Sequence, residues 1–302
     1  MLKMAAVLAA LIAASSADAQ ESAISRARQV TASYTFDLVP SPDGKRGVMI
    51  RIIAGREQLF VRDMDGSGER QITSADADHE DPVWSPDGSK IAYIVVKDGK
   101  KIVHLANPDG TGATAITPAT QSAIHPSFTP DGRAILYCTD DDLRPPEKNE
   151  SEIYSIDLAT RRVTTLISGG VNTFPVMSPD GRKIAYRKIV GDMNSEVFLA
   201  NADGSEPKNL TNHWSFEGWP AWSPDGRTIA YAGNRNNAGY QIFLMSPDGT
   251  NVRLLAATEG RGTAPKWSPD GRTIYFTVCR RSQEHNGCDI FSAPVEAVPG
   301  AG

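Results

Sequence analysis

Trp84-Ser85-Pro86-Asp87-Gly88-Ser89-Lys90-Ile91-Ala92-Tyr93 is the stretch from which the fold can be read. Proline presets φ near −65° and glycine accepts a positive φ, so Pro-Asp-Gly is a tight reversal of the chain. Ile91-Ala92-Tyr93 is then apolar on successive residues, the pattern of a strand covered on both faces. Trp222-Ser223-Pro224-Asp225-Gly226-Arg227-Thr228-Ile229-Ala230-Tyr231 is nearly the same sentence.

Working outward, the segment recurs with aspartates at Asp43, Asp87, Asp131, Asp180, Asp225 and Asp270, spaced 44, 44, 49, 45 and 45 residues apart. Pro40, Trp84, Phe128, Met177, Trp222 and Trp267 stand three residues before them, and Met49, Tyr93, Tyr137, Tyr186, Tyr231 and Phe276 six residues after. Strand chemistry at a period of about 40–50 residues indicates propeller blades. A third strand of the Gln241-Ile242-Phe243-Leu244-Met245 type follows in each repeat. A second Asp-Gly turn (Asp65-Gly66, Asp109-Gly110, Asp203-Gly204, Asp248-Gly249) then leads to a short fourth strand such as Gln71-Ile72-Thr73. The segment Asp63-x-Asp65-Gly66 lacks the later ligands of a calcium loop and reads as one of these turns.

The sixth repeat stops after its third strand, at Val295. Arg28-Gln29-Val30-Thr31 is nearly identical to Arg70-Gln71-Ile72-Thr73 and supplies the missing strand. The expectation is an all-β fold: a six-bladed β-propeller of four-stranded antiparallel blades. Residues 28–31 complete the sixth blade and remove an exposed sheet edge.

Several function classes fall away on composition. The 302 residues carry a formal charge of −5, so no global basic field exists for nucleic acid. The one uninterrupted apolar run is Met4 to Ala14, preceded by Lys3 and followed by Ala17-Asp18-Ala19. That is a secretory leader, residues 1–19, too short to span a bilayer. Residues 20–302 are then the propeller, periplasmic or secreted, expected as a monomer without a membrane span. Cys279 and Cys288 flank a polar segment, and a hairpin there brings them within disulfide reach. Cys138 lies in an apolar stretch and reads as a buried thiol.

The Trp-Ser-Pro-Asp-Gly-x-x-Ile-Ala-Tyr cassette resembles the repeat of TolB-type propellers, and the resemblance covers residues 28–295. In that family the propeller belongs to an envelope-spanning system, binds a peptidoglycan-associated lipoprotein and follows a separate α/β domain. Too few residues lie between Gln20 and Tyr34 for that domain, so it is expected to be absent. Similar repeats occur in prolyl-oligopeptidase-like serine peptidases, but the Gly-x-Ser-x-Gly elbow of their hydrolase domain does not occur in the sequence.

In such a blade the loops leading into the first strand share one face with the loops joining strands two and three. Those loops vary while the Asp-Gly turns are uniform, and variable loops on a rigid scaffold carry binding. Aligning the repeats nominates His79, Glu80, Asp81, His125, Asn172, Phe174, Trp214, Glu217, Trp219 and Arg261 as a partner-binding rim, with Tyr34, Asp37, His213 and Phe216 beside them. Aromatics beside charges suit an envelope protein or peptide. Phe174 and Trp219, next to Pro175 and Pro220, would alternatively plug the channel. A second reading gathers His79, His125 and Glu217 into a metal site of an enzyme or carbohydrate-binding propeller. The interaction reading, without catalytic residues or cofactor, is preferred. Calcium is the ion an oxygen-rich channel would take. The long connection Asp140–Glu150 reads as a solvated loop.

Overall fold

Each Ser/Thr-Pro-Asp-Gly segment closes on itself in the same way. In blade two, Ser85 Oγ donates to Asp87 Oδ1 at 2.6 Å, the Ser89 N–H donates to the same oxygen at 3.0 Å, and the Lys90 N–H donates back to Ser85 Oγ at 2.9 Å. Gly88 takes φ 70°, the conformation for which the turn needs glycine. Equivalent bonds hold Asp43, Asp131, Asp180, Asp225 and Asp270. A turn that satisfies its own polar groups can sit at the rim of a sheet without help from a neighbour.

A computed structural model of the chain describes residues 27–31, 34–74, 77–140, 150–191, 194–235, 239–280 and 287–296. The leader (1–19) and residues 141–149 of the long connection lie outside the described residues. The described chain forms six sheets of four antiparallel strands. Their innermost strands are Thr35–Pro40, Asp78–Trp84, Ala123–Phe128, Asn172–Met177, Glu217–Trp222 and Arg261–Trp267. Five blades use consecutive strands. The sixth is completed on its outer edge by Arg28–Gln29, paired antiparallel with Cys288–Pro294. The Val30 N–H donates to Ile290 O at 2.7 Å, and the Ile290 N–H donates to Thr31 Oγ1 at 3.1 Å, which extends that join.

The core is a series of layers between blades. Val48, Ile50 and Leu59 of blade one pack with Trp84, Ile91 and Tyr93 of blade two, and the same arrangement continues around the ring. Tyr137, Tyr186, Tyr231 and Phe276, each six residues after a turn aspartate, are among the largest fully buried side chains. Burying each contributes roughly 1.5–3 kcal/mol, so the ring is held by faces rather than by its edges. Cys279 and Cys288 stand opposite each other in register, with Cα atoms 4.0 Å apart, and form a disulfide. Cys138 is free and buried. Among the described residues no helix is long and apolar enough to cross a membrane.

Candidate binding site at the mouth of the central channel

The innermost strands do not run regularly. Each loses its pairing register once, between Phe36 and Val39 in blade one, Glu80 and Val83 in blade two, and at the matching place in the other four. At that bulge sit Asp37, Asp81, His125, Phe174, Trp219 and Ala264, all with φ between 49° and 54°. Each stands six residues before its turn aspartate. The next residue is Pro82, Pro126, Pro175, Pro220 or Pro265, and Leu38 in blade one. Proline has no N–H to orphan, so the ladder can break there at little cost.

The six bulge side chains form a ring that lines a cavity of 670 Å³ along the propeller axis. Below the ring the wall is Val39, Val83, Ser127, Val176, Ala221 and Lys266. Trp84, Phe128, Met177, Trp222 and Trp267 close in on it towards the Pro-Asp-Gly turns.

Two halves of the ring differ in chemistry. Blades three to five are aromatic: His125 and Phe174 have ring centres 3.6 Å apart, and Phe174 and Trp219 5.1 Å apart. Tyr240 meets Trp219 edge-on at 5.4 Å. Arg187 lies over both Phe174 (6.0 Å) and Trp219 (5.7 Å). A Cβ at Gly218 would come within 2.8 Å of Arg187 Cδ, so the glycine makes room for that guanidinium. Blades six, one and two are charged, with Arg261, Lys266, Asp37 and Asp81 on the cavity wall.

Hydrogen bonds set the ring in place. The Asp37 N–H donates to Thr277 Oγ1 at 3.0 Å, and the His125 N–H donates to Asp81 Oδ2 at 3.2 Å. His125 Nδ1 lies 3.4 Å from Cys138 Sγ and its Nε2 lies 3.9 Å from Asp81 Oδ2. Burial, helped by the charges of Lys101, Arg187 and Lys266, holds the His125 pKa well below the ordinary imidazole range, so the ring is neutral at pH 7. The order Asp81, His125, Cys138 imitates a nucleophilic triad. Burial pushes the Cys138 thiol up to about 12, and its side chain is 0% exposed, so it offers no accessible thiolate.

The sequence matches the TolB beta propeller domain over residues 16–186 and 146–290. The chain belongs to the TolB β-propeller family. No curated protein sequence is similar enough to match. The fold is similar to that of a putative TolB from Agrobacterium tumefaciens, at 21% identity and TM-score 0.66, over 90% of this chain and 97% of that one. It is similar to TolB from Acinetobacter baumannii at 22% identity and TM-score 0.65, over 87% of this chain and 63% of that one. It is also similar to an oligogalacturonate lyase in complex with manganese, at 15% identity and TM-score 0.60, over 89% of this chain and 93% of that one. At these identities the likeness establishes the fold and nothing finer.

In this TolB-family propeller, five of the ten nominated rim residues line the channel: Asp81, His125, Phe174, Trp219 and Arg261. His79, Asn172 and Glu217 do not. They stand eight residues before their turn aspartates, where the strand packs between blades, and all three are buried. Glu217 is 0% exposed and accepts two bonds from Arg235, at 2.5 and 3.1 Å. Asn172 Nδ2 donates to the carbonyls of Ser151, Gly169 and Gly170. His79 packs on Tyr93 with ring centres 5.7 Å apart. These three are structural, which corrects the rim assignment. The metal set His79, His125 and Glu217 is corrected with it: only His125 faces the channel. Among the described residues no three His, Cys, Asp or Glu side chains are placed to share a metal ion. Glu80 is engaged by Lys101 at 2.8 Å. Trp214 is 62% exposed beside His213, on the same face but outside the channel.

Sequence reasoning missed Arg187, Tyr240 and Lys266. Alignment of the repeats could have found two of them. Lys266 falls in a column otherwise filled by Val39, Val83, Ser127, Val176 and Ala221, and Arg187 in one filled by Ile50, Ile94, Cys138, Ala232 and Thr277.

Proposed function

We propose that the protein is a non-enzymatic, periplasmic interaction module that seats a segment of an envelope protein or peptide over the mouth of its channel. The observation that carries this reading is the unequal chemistry of the two faces. Of the five exposed large hydrophobics among the described residues, Tyr34, Ile53, Val190 and Trp214 lie in blade-leading loops or in hairpins between strands two and three. Those are the connections of the mouth face. Only Val252 lies by the turns of the other face. Exposed apolar groups gathered around a polar, aromatic-lined opening suit a partner surface. The leader sequence and the disulfide both suit an oxidising compartment outside the cytoplasm. Family membership, and the likeness to two TolB structures, support the same placement.

Site-specific photo-crosslinking in cells tests the reading. A benzophenone amino acid at Tyr34 or Trp214 is expected to trap a discrete envelope protein, and the same group at Val252 is not. Crosslinks from Val252 alone, or equal crosslinks from both faces, would overturn it.

A further inference from the structure

Three cations beside the channel, Lys266 and Arg261 of blade six and Arg187 of blade four, form no ion pair among the described residues, although Asp37 and Asp81 line the same cavity. The side chains of Lys266, on the cavity wall, and Arg261, at the mouth, form no hydrogen bond or ion pair among the described residues. Arg261 lies over the Tyr240 ring at 5.2 Å. Arg187 lies behind Phe174 and Trp219, and its buried Nε has no hydrogen-bond partner. The chain does not lack carboxylates, since Asp and Glu number 36 against 31 Lys and Arg. Some half-buried cations elsewhere are paired, as in Arg235–Glu217 and Lys101–Glu80, while buried Arg62 also has an unpartnered Nε. Lys266 is half-buried, and a cation partly withdrawn from water without a contacting counter-charge is costly, so it favours an anion from outside; Arg261, exposed at the mouth, adds to that attraction.

We propose that the channel captures the free C-terminal carboxylate of a peptide whose last side chain is apolar or aromatic, the carboxylate meeting Lys266 and Arg261. This deepens the interaction reading and rests on the mouth being the binding face. The chemistry of the walls selects that ligand over others. Arg187 already occupies the π faces of Phe174 and Trp219, so a second cation there meets like charge, and an ammonium-binding cage is disfavoured. Asp37 and Asp81 line the same cavity, which penalises a polyanion such as an acidic polysaccharide. They suit a ligand with a single negative end and a backbone that offers N–H donors. The wall of Val39, Val83, Val176 and Ala221 beneath the ring receives an apolar side chain. At 670 Å³ the cavity holds more than one residue.

The tripeptide Ala-Ala-Phe and its C-terminal amide are the probes, titrated into the purified propeller by calorimetry. The free acid is expected to bind at least about tenfold more tightly than the amide. Lys266→Gln should reduce the acid to the affinity of the amide and leave the amide unchanged. Arg261→Gln, at the exposed mouth, provides a second variant should Lys266→Gln fail to fold, and it should weaken the acid selectively. Equal binding of acid and amide, or no binding of either up to about 10 mM, would overturn the proposal. If crosslinks map to the mouth while the acid shows no preference, the carboxylate proposal falls and the interaction reading stands. If the acid binds selectively but Tyr34 and Trp214 trap nothing, the interaction reading falls alone.

Discussion

The indole N–H of Trp84 donates to the backbone carbonyl of Val39 at 3.0 Å, joining two blades across 45 residues of sequence. Trp222 reaches Val176 O at 3.3 Å and Trp267 reaches Ala221 O at 3.0 Å in the same way. The accepting carbonyl belongs in each case to a channel-wall residue four places before the previous turn aspartate. The tryptophan of the repeat therefore closes the blade stack at the channel, as well as filling volume.

Trp84→Phe keeps an aromatic ring but removes that donor and leaves the Val39 carbonyl without it. The expected cost is about 2 kcal/mol, from the lost bond and the smaller side chain. Urea unfolding should show a lower midpoint with an unchanged slope. Trp214→Phe, at an exposed position, should stay within about 0.5 kcal/mol of the parent. Equal effects of the two substitutions would show that the inter-blade bond contributes nothing.

The turn aspartates make stability fall in acid. The Ser85 hydroxyl and the Ser89 N–H and hydroxyl hold the Asp87 carboxyl down to about 2. Asp43, Asp131, Asp180, Asp225 and Asp270 are lowered by the matching serine or threonine and backbone N–H. A carboxyl lowered in the folded state contributes above its unfolded value, about 3.9, and the contribution disappears as pH falls towards 2. For exposed Asp87 solvent screening limits this to about 1 kcal/mol or less. The imidazoles of buried His79 and half-buried His125, also lowered, add an earlier decline starting below about pH 6.5. Comparison of Asp87→Asn with the parent by chemical denaturation should show the parent's advantage intact above about pH 4 and gone near pH 2. An advantage that does not change with pH would refute the linkage.

Closure of the ring depends on a few hydrogen bonds from the N-terminal strand. Removing residues 26–31 deletes the bonds of Val30 and Thr31 to Ile290, and that of Gln29 Nε2 to Asp289 at 3.1 Å. At roughly 1 kcal/mol each, these four bonds alone amount to about 4 kcal/mol, before the ladder of Arg28–Gln29 with Cys288–Pro294 is counted. A thermal transition that stays where it was would mean that this strand does not stabilise the sixth blade.

The blades and their number were legible because every repeat carries the same turn chemistry at a fixed offset from the same aromatic residues. The channel ring was only half legible. A regular strand puts residues two apart on one face, so His79 and Asp81, or Glu217 and Trp219, look equivalent. The bulge at the later residue of each pair breaks that alternation and turns that residue to the channel, leaving the earlier residue buried in the regular part of the strand. A proline just after the ring position marks the bulge in five blades, but proline in an inner strand also reads as simple strand termination. Repeat alignment singles out Arg187 as the odd residue in its column, but its position over Phe174 and Trp219 depends on the glycine at position 218 in the next blade, which that column does not show.

The Glu217–Arg235 pair separates the corrected assignment from the original one. Glu217 is fully buried, its two oxygens are taken by Arg235, and the Arg235 guanidinium lies over Tyr231 (5.6 Å) and Phe243 (5.7 Å). Glu217→Gln leaves a half-buried guanidinium without its counter-charge, and breaking such a pair costs about 3–5 kcal/mol. Replacing both partners, as Glu217→Leu with Arg235→Met, removes the two charges together and should recover most of that loss. Were Glu217 instead a ligand or partner contact at the mouth, the single substitution would leave the denaturation midpoint in place and weaken binding. A large shift in midpoint, rescued by the double change and accompanied by unaltered binding in variants that fold, is the outcome expected of a carboxylate that ties the first strand of blade five to the connection after its second strand.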